Sequence, residues 1–279
     1  MPEIAVNLKE KEYYDLKFYN LERIFNSYAK NFLELEHKDP ARFKTGYSTK
    51  IVHTYNVVSN IEYISGALGL DAHQVFLAKT AALFHDIGRF PQLYLFGSFS
   101  DRNIDHAYLS VKTINEEGFL KDASNHTKRI ILTAIGNHNG ISIKNGLNKE
   151  EEFYAKLLRD ADKIDILRIA IADHESKKGN PLIFGSGSGI SDKVLEDFIA
   201  GKPISIRDVK SADDIVMLRL AFIYDMNFIP SFKMIQERGY VEKLANTFSN
   251  EVPKELKAQI AAIAERFIKL QINGGNIRS

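Results

Sequence analysis

Apolar residues recur at helical spacing along nearly the whole chain. From Glu12 to Glu36, the positions Tyr13, Leu16, Phe18, Leu21, Ile24, Phe25, Tyr28, Phe32 and Leu35 predict one long amphipathic helix, broken at Asp39-Pro40. Ser48 can cap a second helix running to about Leu68, with Ile51, Tyr55, Val58, Ile61 and Ile64 as its stripe. Asp71 caps a third, which ends at Asp86. The stretch from Pro91 to Arg102, rich in aromatics, Gly and Ser, reads as a loop, and helices fit about 103–117, 124–138 and 149–173. From Lys177 to Ile190 the composition changes to that of a flexible loop. Ser191 then opens a short helix. Asp213 to Asp225, about Gln236 to Thr247, and Pro253 to Gln271 are helical again, with Pro253 as a first-turn proline and Asn273 to Ser279 frayed. No segment carries a convincing strand pattern, a repeat or a heptad run.

One of these predicted helices ends in chemistry. The run Ala78-Lys79-Thr80-Ala81-Ala82-Leu83-Phe84 stops on His85-Asp86, followed by Ile87-Gly88-Arg89-Phe90-Pro91. Gly88 fits a left-handed cap and Pro91 cannot continue the helix. An imidazole and a carboxylate beside Leu83, Phe84 and Ile87 are costly to bury unless something pairs with both. A divalent metal suits both.

Composition narrows the classes. A length of 279 residues allows one large core, and 44% hydrophobic with 26% charged residues is ordinary for a soluble globular protein. A net charge of +1 offers no general attraction to nucleic acid or an acidic membrane. With no cysteine, disulfides, thiolate metal sites and cysteine nucleophiles are excluded. No apolar stretch reaches the roughly 18 residues that cross a bilayer, and Met1 to Lys11 lacks an apolar signal core. These features predict a cytoplasmic protein.

Of eight histidines, His53, His106 and His138 stand out beside His85. His53 interrupts Ile51-Val52-His53-Thr54-Tyr55, His106 follows Ile104-Asp105, and His138 ends Thr133-Ala134-Ile135-Gly136-Asn137-His138. His37, His73, His126 and His174 read as ordinary hydrogen-bonding residues. Asp162, in Leu158-Arg159-Asp160-Ala161-Asp162-Lys163-Ile164-Asp165-Ile166, would share a helix face with Leu158, Ile166 and Ile169. A carboxylate in an apolar stripe is rarely buried without a partner. Asp160 and Asp165 compete with it.

His53, then His85-Asp86, then Asp162, in that order on predicted helices, resemble the HD-domain metal-dependent phosphohydrolases. The strings His85-Asp86-Ile87-Gly88-Arg89 and Ala161-Asp162-Lys163-Ile164-Asp165 carry the match, which spans about 45–175 and favours Asp162 over its neighbours. The resemblance implies that His53, His85, Asp86 and Asp162 hold one metal. Branches of the family with two additional histidines in that interval hold two, which would place His106 and His138 on the second with Asp86 bridging. Mixed imidazole and carboxylate ligands suit Mn, Fe, Zn, Co or Ni rather than Ca. Two such ions roughly 3.5–4 Å apart can share a hydroxide and clamp a phosphoryl oxygen.

Arg89 stands where relatives often carry a phosphate-contacting Lys; it is read either as that contact through its bidentate fork or as a surface residue. Lys163 could hold phosphate or be solvated. Asp105 could orient His106 or cap its helix. Gly185-Ser186-Gly187-Ser188-Gly189 lacks the Gly-Lys-Ser/Thr ending of a P-loop and reads as a connector or a lid. Phe90, Tyr94, Phe96 and Phe99 could stack a nucleobase or pack the core.

The expectation is therefore an all-α protein: an HD-type helical bundle with a C-terminal helical extension. Residues 1–44 form a helix packing on the core, 45–176 the metal-site core, and 177–279 a loop and helices of the same globular unit. The expected function is hydrolysis of a small-molecule phosphoester, such as a nucleotide or related compound, by metal-activated hydroxide. The Gly-Tyr-Pro signature of the cyclic-di-GMP-cleaving branch is absent after the pair. Two alternatives use the same ligands: a di-iron oxygenase on the HD scaffold, and a catalytically silent metal-binding regulatory module. Neither a nucleic acid polymer nor a membrane is an expected partner.

Overall fold

A computed structural model describes residues 2–37, 39–175 and 187–274, and among them every regular element is helical. The described chain divides into two compact units, Met1–Asp162 and Lys163–Ser279. The division falls inside a helix rather than at the glycine-rich loop. Positions 176–186 and, at the C-terminus, 275–279 lie outside the described residues, and with them Gly185 and Ser186 of the candidate lid.

The first unit begins with α1 (Pro2–Glu34) and α2 (Pro40–Ala67). The expected start of α2 at Ser48 is corrected. Asp39 caps the helix through Arg42 N, and Pro40 occupies its first turn, where a missing N–H costs nothing. The dipeptide that breaks α1 also launches α2. α3 (Ala72–Phe84) opens on a capping box in which Asp71 accepts from Gln74 N at 2.8 Å and donates its own N–H to the Gln74 side chain at 3.0 Å. It packs on α1, on α2 and on α6 (Asn125–Ile135). Its residues Leu77, Leu83 and Phe84 are fully buried, each stabilising by about 1.5–3 kcal/mol. The Phe25 ring of α1 meets Tyr55, Phe84 and Phe90 edge-on and ties three further segments together.

After α3 the sequence-based expectation fails in an instructive way. α4 (Arg89–Phe96) replaces the predicted loop, with Pro91 in its first turn, and it ends on Gly97 at φ +62°. Gly88 is not a left-handed cap; its φ is −68°. Glycine is required there by proximity. A Cβ at Gly88 would meet the backbone of α5 (His106–Glu116), 2.7 Å from Leu109 C and 2.8 Å from His106 O. The Gly88 N–H donates to Ser110 Oγ at 2.9 Å. This contact holds the helix that begins with His106 against the end of α3.

Capping settles the next helices. Asp105 accepts from Tyr108 N at the start of α5, so it serves as the N-cap. Ser124 caps α6. His138 lies three residues beyond the end of α6, in the following turn. α7 (Lys149–Glu175) then carries Asp162. Asn60 on α2 donates to Ala161 O at 3.1 Å; it stands seven residues from His53 and faces the same way.

The second unit contains α8 (Asp192–Ile199), α9 (Ala212–Leu220) followed by a 3₁₀ turn (Ala221–Asp225), α10 (Ile229–Glu237), α11 (Tyr240–Ala245) and α12 (Lys254–Gly274). The expected single helix over Gln236–Thr247 is corrected to two. Gly239, at φ +62°, separates α10 from α11, and α10 begins earlier with Pro230 in its first turn. Asn273, expected to be frayed, is the penultimate residue of α12.

Candidate metal centre

Six side chains from three helices, the end of α3 and the turn after α6 converge inside the first unit. His53 comes from α2, His85 from the C-cap of α3, Asp86 from the next residue, His106 from the first residue of α5, His138 from the turn after α6, and Asp162 from α7. All six are buried. Their ligand atoms form three overlapping groups, each within 4.8 Å: His53, His85 and Asp86; His85, His138 and Asp162; Asp86, His106 and His138.

The distances divide the six into two sets joined by Asp86. His53 Nε2 lies 3.2 Å from His85 Nε2 and 3.1 Å from Asp162 Oδ1. Asp86 Oδ2 faces this set, 3.6 Å from His53 and 3.7 Å from His85. Asp86 Oδ1 faces the other, 3.4 Å from His106 Nε2 and 3.9 Å from His138 Nε2.

Hydrogen bonds on the far side of each ring decide which nitrogen is free. His85 Nδ1 lies 2.7 Å from Ala82 O and His138 Nδ1 lies 2.7 Å from Ile135 O. His106 Nδ1 lies 2.8 Å from the Asp101 carboxylate. Carbonyls and carboxylates only accept, so each Nδ1 carries the proton and each Nε2 presents a lone pair. His106 Nε2 and His138 Nε2 are then two acceptors 3.0 Å apart. Asp86 Oδ1, beside them, is buried and accepts no hydrogen bond. Lone pairs in contact with a carboxylate oxygen in a dry site are unfavourable without a cation. This donor set fits a divalent metal.

Electrostatics keeps the groups in their ligating forms. Burial pushes the Asp86 carboxyl up, but Lys50, His85, Arg89 and His106 together outweigh it and hold the group well below the usual carboxylate range. Asp162 is likewise held low, with burial opposed by the His53 and His85 imidazoles beside it. Burial, reinforced by His106 and His85, lowers His138 to about 3. Burial and Arg89 lower His106 against the pull of Asp101 and Asp86. Both imidazoles are neutral at pH 7, as a metal requires.

The supporting residues are mostly ones the sequence did not single out. Lys50, three residues before His53, donates to Asp86 Oδ2 at 2.7 Å. Asp101 orients His106 and receives Arg89 NH1 at 2.9 Å. Arg89 NH1 also donates to Gln92 and to Phe99 O, and its Nε lies 3.5 Å from Asp86 Oδ1. The guanidinium is thus anchored while its charge remains beside the site. Phe99 stacks near both Lys50 and Arg89, and Phe90 packs in the core. Lys163 pairs with Asp225 at 2.6 Å, and Asp165 holds Arg168, so neither supplies a seventh group.

A helical scaffold that gathers buried imidazoles and carboxylates able to hold a cation defines a class, and the family comparison agrees with it. Residues 51–180 match the family model described as HD domain. That segment is therefore similar to the HD domain, a superfamily composed mostly of metal-dependent phosphohydrolases whose members bind divalent metals. No curated protein and no solved structure matches the chain at a significant level. Among the described residues, no helix is long and apolar enough to cross a membrane.

Proposed function

We propose that the protein is a metal-dependent phosphohydrolase that cleaves a phosphoester of a small molecule, such as a nucleotide or related compound, rather than a nucleic acid polymer. The observation that carries this reading is the contact of the His106 and His138 lone pairs beside the unbonded Asp86 Oδ1, an arrangement completed by a cation. His53, His85, Asp86 and Asp162 would hold one divalent transition ion (Mn, Fe, Co, Ni or Zn), and His106, His138 and Asp86 a second. Bound ions of this kind supply Lewis acidity toward a phosphoryl oxygen and lower the pKa of water.

The rest of the chemistry falls to the chain itself. Asp86 separates its two oxygens between the two histidine sets, so one carboxylate fixes both. Lys50 and Arg89 bring two positive charges to the Asp86 carboxylate. These charges favour an anionic substrate over a neutral polyol, which supports hydrolysis over oxidation. Arg89 acts through a fixed charge, and direct contact with substrate phosphate is the finer part of the proposal.

The test is phosphate release from a panel of nucleotides and small phosphoesters, run metal-free and with Mn, with Asp86→Asn as control. Mn-dependent release that the variant loses supports the reading. Iron-dependent oxygen consumption with no release from any compound overturns it in favour of an oxygenase. Tight metal binding with neither activity overturns it in favour of a regulatory module.

A further inference from the structure

Arg159 is the largest fully buried side chain among the described residues, with 1% of its surface exposed. Its guanidinium reaches into one turn of backbone. NH1 donates to Asn137 O at 3.0 Å, His138 O at 3.3 Å and Gly140 O at 2.7 Å, and NH2 donates to Ile141 O at 3.3 Å. That turn follows the C-terminus of α6 and carries His138. No regular helix or sheet ladder fixes its carbonyls, so a buried cation gathers them, as cations do at helix C-termini.

Position on α7 gives this a consequence. Arg159 stands three residues before Asp162, on the same side of the helix. One helix face therefore presents Asp162 to His53 and His85, and Arg159 to the turn that aims His138 at His106. We infer that Arg159 is the positioning residue for the second metal: it sets the aim of His138 relative to Asp86 and so governs occupancy of the His106/His138 site, leaving the His53/His85 site intact. The planar fork matters because its several donors span consecutive carbonyls, which the compact ammonium of lysine cannot do. The inference rests on the two-metal reading above.

The test is a titration of the full-length protein with Mn, counting bound ions and following the spin-coupled pair by electron paramagnetic resonance, for wild type, Arg159→Lys, Arg159→Met and His138→Ala. Wild type should bind two ions. Arg159→Lys should keep the helical circular dichroism and the first ion while the second binds about 10–100-fold more weakly, as for other changes behind a ligand. It should resemble His138→Ala and lose the coupled signal. Two ions at wild-type affinity in Arg159→Lys overturn the inference and leave the two-metal reading standing. A single ion in wild type overturns both. Loss of the fold or of both ions in Lys as well as Met variants makes Arg159 a general structural residue and overturns the inference.

Discussion

Asp86 and Asp162 in the first unit and Asp213 and Asp214 in the second are all buried, and the two pairs are satisfied in opposite ways. In the second unit, Asp213 accepts from Gly189 N, Ser249 N and Ser249 Oγ at 2.6–2.7 Å. Its neighbour Asp214 accepts from Ser191 N, Ser191 Oγ, Lys210 N and Ser211 N. Every donor there is an N–H or O–H that belongs to the chain, so the carboxylates serve as caps and staples. In the first unit, Asp86 and Asp162 face imidazole nitrogens, and Asp86 Oδ1 accepts no hydrogen bond. A buried carboxylate alone is therefore not a site. What sets Asp86 apart is an oxygen that accepts no hydrogen bond beside imidazole lone pairs, a setting that fits a cation.

The comparison breaks most readily at Asp86. Asp86→Asn should weaken metal binding by more than the about 100-fold that outer changes reach, and should abolish metal-dependent turnover while circular dichroism stays helical. Wild-type affinity in that variant, measured by titration calorimetry, would remove the distinction between the two pairs. A smaller effect is expected at Asp101, which holds His106 from behind. Asp101→Ala should cost about 10–100-fold in affinity for the second ion alone. An equal loss at both ions would show that Asp101 supports the whole fold instead.

Asp214→Asn sharpens the other side. It turns an amide toward backbone N–H groups and should destabilise the protein by about 1–3 kcal/mol in urea denaturation. Metal affinity should not change; a parallel loss would contradict the separate roles. The smallest effect is in pH. Burial raises the Asp214 carboxyl, but hydrogen bonds from Ser191, Lys210 and Ser211 outweigh it and hold the group below its ordinary 3.8. A depressed folded value gives stability that is present above the unfolded value and is lost as pH falls through it. The stability gap between wild type and Asp214→Asn should therefore narrow as pH drops below about 3.8. A gap constant through that range would mean the carboxylate charge contributes nothing.

The sequence revealed the parts governed by local rules. Asp71 and Gln74 spell a capping box three residues apart, and α3 runs from there to its C-cap at His85, one residue short of the expected end at Asp86. The six candidate ligands are also legible in the sequence, because order and string resemblance carry them. What was hidden depends on tertiary proximity. Gly88 has the appearance of a helix stop, yet it is small because the backbone of α5 lies against it. Pro91 suggests a loop until it falls in a first turn. Lys50, Asp101 and Arg159 make their defining contacts 36, 5 and about 20 residues away, to groups no local pattern can supply.

The central claim is that the two histidine sets around Asp86 are cation sites. Its most direct test is anomalous diffraction from crystals of the protein equilibrated with Mn. The account predicts anomalous peaks on either side of Asp86, one among His53, His85 and Asp162 and one at His106 and His138. Mn-saturated crystals with no peak at these residues would contradict it.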